Sequence, residues 1–304
     1  MNRTRAGIAL AACTAVVSGV SIFVNSYAVK QIADAALFTT LKNGVAAAVL
    51  LAVALTVVRR ADLRRVERRD WLGVGAVGVV GGGVAFLLFF TGLALASAPS
   101  AAFIHKTLFV WVALLAVPFL GERLGLIQIG ALVALLAAQL LIAPPAGVKW
   151  GVGETMIALA TLLWAVETVV AKRLLVRVPV GVLAVGRLAV GLIVLAGYLA
   201  LTGRLSQLGG LSAVQWIWAI GTGVLLAGYV ASWFSALSRA PATVVTAVLV
   251  IGAPITAVLA GMAGGVVPTS GQLAGYGVLL LAVGAMLVVP AWRSRSATEP
   301  ALAG

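Results

Sequence analysis

The chain has 304 residues, 62% of them apolar and only 10% charged, with a net charge of +13, and its mean hydropathy is +1.16. A soluble domain carries about a quarter of its residues as charges, so this composition excludes one. Apolar runs of the roughly 20 residues that a hydrocarbon span requires recur along the whole chain, as expected of an all-α membrane protein.

In chain order these runs predict ten transmembrane helices, near 6–29, 35–58, 71–93, 98–120, 124–143, 151–171, 180–202, 213–237, 241–263 and 271–291. The opening MNRTRAGIALAACTAVVSG has the basic-then-apolar order of a signal peptide, but its apolar stretch runs on to Val29. That exceeds an h-region of about 7–15 residues, which makes it a first span. Connections are short and punctuated by Pro99, Pro144-Pro145, Pro179, Pro241 and Pro268, and only 59–70, RRADLRRVERRD, is a substantial polar loop. The single cysteine, Cys13, lies inside the first run, so no intrachain disulfide forms.

Ten spans put both termini on one side. With the N-terminus cytoplasmic, that side receives Arg3, Arg5, Arg59, Arg60, Arg64, Arg65, Arg68, Arg69, Arg123, Lys172, Arg173, Arg177, Arg239, Arg293 and Arg295, fifteen of the 21 basic residues. The other side receives Lys30, Lys149 and Arg204, while Lys42, Lys106 and Arg187 fall within spans. This is the positive-inside asymmetry. It predicts a multi-pass protein of a bacterial inner (plasma) membrane with both termini cytoplasmic. The same loops account for the positive charge, so nucleic acid is not an expected partner; a lipid bilayer is.

The halves resemble each other at a shift of 145 residues: Lys42 falls on Arg187, Trp71 on Trp216, Gly78 on Gly223 and Phe89 on Phe234. After a three-residue slip, ALASAP at 94–99 falls on ALSRAP at 236–241, and Gly130 with Gly275 recovers the register. Five spans per half is an odd number, so the second copy starts on the opposite side. The expected domains are a first five-helix repeat, 1–145, and a second, 146–304, joined in one membrane domain. Inverted repeats are the architecture of many secondary transporters; the alternative is duplication of a packing unit.

The segment GLALASAPSAAFIHKTLFVWVALLAVPFLGERLGLIQIGALVALLAAQLLI resembles the fourth and fifth spans of an EamA-type repeat of the drug/metabolite transporter superfamily. The small-residue start of the helix, its late proline, the Leu120-Gly121-Glu122-Arg123-Leu124 turn and the glycine-punctuated helix that follows carry the likeness. The resemblance extends to both halves. It implies ten spans, inverted five-helix repeats and export of amino acids, metabolites or toxic compounds by alternating access. Two departures stand out: Gly264-Gly265-Val266-Val267-Pro268 replaces the second Gly-Glu-Arg turn, and His105-Lys106 occupies a place usually small or apolar.

Ionisable groups inside spans are costly unless they face the bundle interior, water or a partner, so each is a functional candidate. Counting at 1.5 Å per residue, Lys42 and His105-Lys106 lie about 10 Å in from the outer ends of their spans, near the level of Glu154. Lys42 either snorkels outward or joins Asn43 in a polar funnel. His105 and Lys106 either contact solute or a transported proton, or form a structural pair with Glu154; in the second half Ala247 and Val248 replace them. Glu167 with Arg187 reads as a structural ion pair or an inner gate. Phe109, Trp164 and Tyr229 are candidate lining of an apolar pocket with a few polar anchors.

Zinc catalysis wants three protein ligands, and one His, one Cys and no HExxH do not offer them; GxSxG and GxxxxGK[ST] are also absent. The expected protein is therefore not an enzyme and takes no cofactor or metal. The sequence points to a secondary transporter, an exporter of small-molecule metabolites. A passive channel or facilitator is the alternative, then an intramembrane enzyme. A homodimer is compatible with the sequence.

Overall fold

Backbone polar groups that meet no water must be satisfied within their own segment, and helices do this. The computed structural model describes residues 2–296 apart from 33, 59, 65, 97, 144–149 and 266. Arg59, Arg65, Pro144, Pro145, Lys149 and Val266 lie outside the described residues, as do the side chains of Arg60, Pro99, Trp292, Arg293 and Arg295. The described residues form helices and no strand.

The principal helices are α1 (Arg3–Gln31), α2 (Ala35–Val57), α3 (Arg68–Leu95), α4 (Ala98–Lys106 and Leu108–Leu120), α5 (Leu126–Ile142), α6 (Val152–Leu174), α7 (Val180–Leu201), α8 (Ala213–Leu237), α9 (Ala242–Leu249 and Gly252–Gly264) and α10 (Ser270–Ser296). Among the described residues nine are long and apolar enough to cross a membrane, and α5 is a shorter apolar helix of 17 residues. At 1.5 Å per residue α5 reaches about 25 Å, short of a hydrocarbon core of about 30 Å.

Three helices are irregular for local reasons. In α3 the run Gly78–Val84, GVVGGGV, winds as a π-helix. In α4 the break falls at Thr107, whose hydroxyl donates to the Ile104 carbonyl at 2.7 Å and accepts from the Trp111 indole at 3.2 Å. In α9 it falls at Val250-Ile251, where Pro254 has no N–H to bond the carbonyl four residues back. Both broken helices end on a left-handed glycine, Gly121 with φ 66° and Gly265 with φ 65°, a conformation that glycine adopts without steric cost.

The halves interleave. α1 packs on α8 and α9, α2 on α7 and α8, α3 on α6 and α7, α4 on α6 and α9, and α5 on α10. Exchanging each helix for the one five places along maps this set onto itself. Side chains obey the same exchange: a Cβ on Gly78 would stand 2.5 Å from Val190 Cβ, and one on Gly223 would stand 2.5 Å from Val45 Cβ. Both pairs differ by the 145-residue shift.

Bonds between helix ends define two faces. At the N-terminal face Arg3 donates to the Ser238 carbonyl at 3.3 Å, and Arg177 pairs with buried Asp70 at 2.9 Å. At the opposite face Gln215 donates to the Gln31 carbonyl at 2.9 Å, Gln272 to that of Ile142 at 3.3 Å, and Arg204 pairs with Asp34 at 3.2 Å. Asp34 also caps α2, accepting from the amides of Ala36 at 2.9 Å and Leu37 at 3.1 Å.

One close contact inside the bundle is glycine on glycine. A Cβ on Gly191 of α7 would lie 2.5 Å from the carbonyl oxygen of Gly82 in α3, while Gly197, two turns on, has open space. Gly191→Ala is therefore expected to destabilise the protein by about 1–3 kcal/mol through overpacking. Gly197→Ala should be neutral or stabilising through helix propensity. Thermal unfolding of the two variants in the same detergent separates them.

Candidate functional site

Interior charge centres on Arg187. Its Nε lies 2.5 Å from Glu167 Oε1 and its Nη2 3.3 Å from Oε2, with both side chains under a tenth exposed. The same Nη2 reaches the Gly81 carbonyl at 3.2 Å, and the Trp164 indole donates to that oxygen at 3.0 Å. Gly81 lies in the π-helical stretch of α3, and a Cβ there would collide with the Glu167 carboxylate. Only glycine lets the carboxylate seat so closely. A π-turn also leaves carbonyls with irregular partners, as is frequent at functional sites.

From this pair an aromatic cluster spreads toward the opposite face. Phe86, Phe89 and Phe90 share one side of α3 by their i, i+3, i+4 spacing. Trp164 stands edge-on to Phe86 at 5.4 Å and tilted to Phe89 at 5.3 Å. His105 packs 5.0 Å from Phe89 and 5.2 Å from Trp164, and its Nδ1 is buried without a hydrogen-bond partner. Lys42 Nζ lies 5.2 Å from the Phe90 ring, 5.3 Å from Phe38 and 5.8 Å from Phe86. The Arg187 guanidinium lies 5.6 Å from Phe86. One patch of rings thus touches three cationic or titratable groups from three helices.

A cavity of about 490 Å³ opens at the opposite face above this patch, lined among others by Thr39, Phe86, Phe90, Thr91, Tyr198 and Arg204. From Ala94 to Phe86 its α3 wall spans about 12 Å of helix rise. The N-terminal face is bridged instead. The Glu122 carboxylate, in the α4–α5 turn, accepts from the amides of Ala242 at 2.5 Å and Thr243 at 3.1 Å and from the Thr243 hydroxyl at 2.7 Å. It caps α9 across the halves. Lys172 donates to the carbonyls of Leu237 and Ala240 at the end of α8, and Arg173 to that of Phe119 at the end of α4.

Of the residues singled out from sequence, the structure brings together Glu167, Arg187 and Trp164 directly, and His105 and Lys42 through the rings of α3. Tyr229 stacks on Trp233 at 6.1 Å, within electrostatic reach of the Arg187–Glu167 pair. Asn43 is fully buried, donating to the Thr39 carbonyl at 2.8 Å with Oδ1 unpartnered. Lys106 ends the first segment of α4 and forms no ion pair with the described residues. Glu154 accepts from the Gly151 amide at 3.1 Å at the start of its own helix and pairs with neither lysine. Phe109 sits in the main core among Val112, Leu135 and their neighbours.

Phe86, Phe89, Phe90 and Glu122 went unremarked as site residues. The signal for the first three was their spacing in FLLFF, next to a glycine run.

The chain belongs to the EamA-like transporter family, whose pattern it matches twice, over residues 5–143 and 151–289. It is accordingly a multi-pass membrane transporter of the drug/metabolite transporter superfamily, working on small molecules in a lipid environment. A solved crystal structure of a protein superposes with a TM-score of 0.73 at 18% identity, covering 92% of this chain and 96% of the other, and shows the same fold. No curated protein matches the chain.

Removing one partner of a buried ion pair strands the other charge, at about 3–5 kcal/mol, whereas replacing both by apolar residues is near neutral. Glu167→Leu and Arg187→Met are each expected to lower the unfolding midpoint sharply, and the double variant to recover most of the loss. Calorimetry of the four proteins checks this; additive losses would mean that the two residues are not energetically coupled.

Proposed function

We propose that this EamA-like transporter is a secondary transporter that exports small metabolites, such as amino acids or amphipathic compounds, by alternating access across a bacterial inner membrane. The observation that carries the reading is the unequal state of the two faces. One holds an open cavity of about 490 Å³; at the other, Glu122, Lys172 and Arg173 bridge helix ends. A carrier in one of its two states has this form, while a channel needs a continuous path.

With α5 taken as a tenth, mismatched span, the chain has ten spans in two inverted five-helix repeats, 1–145 and 146–304. The self-mapping packing of the helices supports this. The N-terminal face carries most of the loop arginine and lysine and is read as cytoplasmic, so the open cavity faces outward. The second repeat has no acidic residue in 264–268 to match Glu122. In this reading the face with the carboxylate bridge is the shut one, and the face without it is the open one.

In this reading Lys42, His105 and Lys106 meet the solute, Asn43, Trp164 and Tyr229 shape its path, and Phe109 and Glu154 support the helices that carry them. Glu167 with Arg187 forms the floor that separates cavity from cytoplasm, the inner gate. The break at Thr107 puts His105-Lys106 at the end of a half-helix, a recurrent way of building a transport site. It also lets the helix dipole favour their charge.

Solute counterflow in liposomes holding the purified protein, with a panel of amino acids and other metabolites, tests the reading. Saturable exchange is expected in the wild type and an at least roughly tenfold loss in His105→Ala and Lys106→Ala, as for removal of a charged contact. Full exchange in both variants would remove α4 from the site, and ion conductance without counterflow would make the protein a channel.

Loss of the charged hydrogen bonds of Glu122 should also shift the population toward the other state, on the order of tenfold. In a Cys13→Ser background carrying Thr246→Cys, Glu122→Ala is expected to speed maleimide labelling from the N-terminal face by about that factor. Unchanged labelling would show that Glu122 holds no gate.

A further inference from the structure

We propose that the cavity binds a small organic anion, an aryl carboxylate, with its charge on Lys42 and its ring against Phe90 and Tyr198. The proposal rests on the reading of the chain as a carrier and names the class of its substrate.

Charge balance is the starting point. Lys42 is 5% exposed and forms no hydrogen bond or ion pair with the described residues. Its repeat counterpart Arg187 has Glu167 as partner, but the position matching Glu167 at the 145-residue shift is Ile22. The first half therefore supplies no carboxylate at the equivalent place. The other charges around the cavity are engaged: Asp34 caps α2 and pairs with Arg204, and Glu154 holds the Gly151 amide at the start of α6. A cation held in an apolar bundle without a counter-ion is costly. The rings of Phe38, Phe86 and Phe90 offset part of that cost through their π faces, and an anion entering the cavity supplies the rest.

Geometry narrows the anion. Phe86 and Phe90, whose rings lie 5.8 Å and 5.2 Å from Lys42 Nζ, also line the cavity, which places the ammonium directly behind its lining. Thr39, one turn toward the mouth on the same helix face, lines the cavity too, and its Oγ1 is buried without a hydrogen-bond partner. One ammonium and one hydroxyl match the two oxygens of a carboxylate. A phosphoryl group favours an Arg fork, and the guanidinium that lines the cavity, Arg204, is paired with Asp34 at 3.2 Å, while Arg187 is committed to Glu167. Above this pair of donors the walls are Phe90, Leu87, Ala94 and Tyr198, apolar and aromatic surface that suits the face of a flat ring. A volume of about 490 Å³ lies within the usual range for one small-molecule ligand.

The test is thermal stabilisation of the purified full chain in neutral-detergent micelles by benzoate, phenylacetate and indole-3-acetate, each against its own amide. Glycerol phosphate stands for a lipid headgroup. Expected are saturable upward shifts with the carboxylates, none with the amides, and apparent affinity lowered about tenfold or more by Lys42→Met, which removes the charge and keeps an unbranched apolar stem. Thr39→Val should weaken the carboxylates without creating a response to the amides, and it stands in should Lys42→Met not fold. Equal shifts with acid and amide, or retention of carboxylate affinity in the folded variant, would overturn the proposal. A stronger response to glycerol phosphate than to any aryl carboxylate would do so too, assigning the cavity to lipid. Counterflow separates the two ideas: carboxylates that bind but are never exchanged leave this site standing and sink the carrier. A neutral solute exchanged equally by wild type and Lys42→Met, with no carboxylate bound, does the reverse.

Discussion

The ion pair between Arg187 and Glu167, seated on the Gly81 carbonyl, is the constraint around which the centre of the bundle is built. Neither charge is tolerable alone in an apolar interior, so α6 and α7 must hold them within bonding distance, and α3 must approach closely enough to offer its carbonyl. The approach requires glycine at 81 and 82, where any side chain would strike Glu167 or the α7 backbone. The π-helical winding of Gly78–Val84 goes with it. The rings that follow at 86, 89 and 90 are then aimed at the remaining polar groups of the interior.

On this scaffold the two halves are alike in packing and unlike in chemistry. Gly78 and Gly223 meet their valines identically, and both fourth helices break and end on left-handed glycines. Yet Arg187 is paired while Lys42 has no ion partner among the described residues, His105-Lys106 faces a repeat position of Ala247 and Val248, and Phe89 borders the candidate site while Phe234 is fully buried core. Backbone symmetry lets two like units pack against each other; departures from it in side chains give the two halves different charge and aromatic surroundings.

The latch at the N-terminal face shows how a short turn acquires meaning from what it touches. Glu122 belongs to a loop of the first half, but its carboxylate completes a helix of the second. Orphan amides at a helix start need an acceptor. Supplying that acceptor from the other half makes the cap a connection between the two halves rather than a property of one helix.

By itself the sequence determined the membrane class, the positions of most helices and the repeat, because hydropathy and a constant shift survive without coordinates. It also singled out Glu167 and Arg187, since two charges in hydrocarbon at matching depth have few other partners. Only the tertiary structure decided which apolar residues surround the buried charges of the candidate site. In a chain that is apolar on its lipid face and its core face alike, periodicity does not distinguish Phe109, which packs the core, from Phe86, Phe89 and Phe90, which hold the lysine and histidine. Nor does it show that α4 breaks at Thr107 or that Glu154 turns to its own helix start. Those outcomes depend on contacts between residues distant in sequence, and such contacts exist only once the helices are packed.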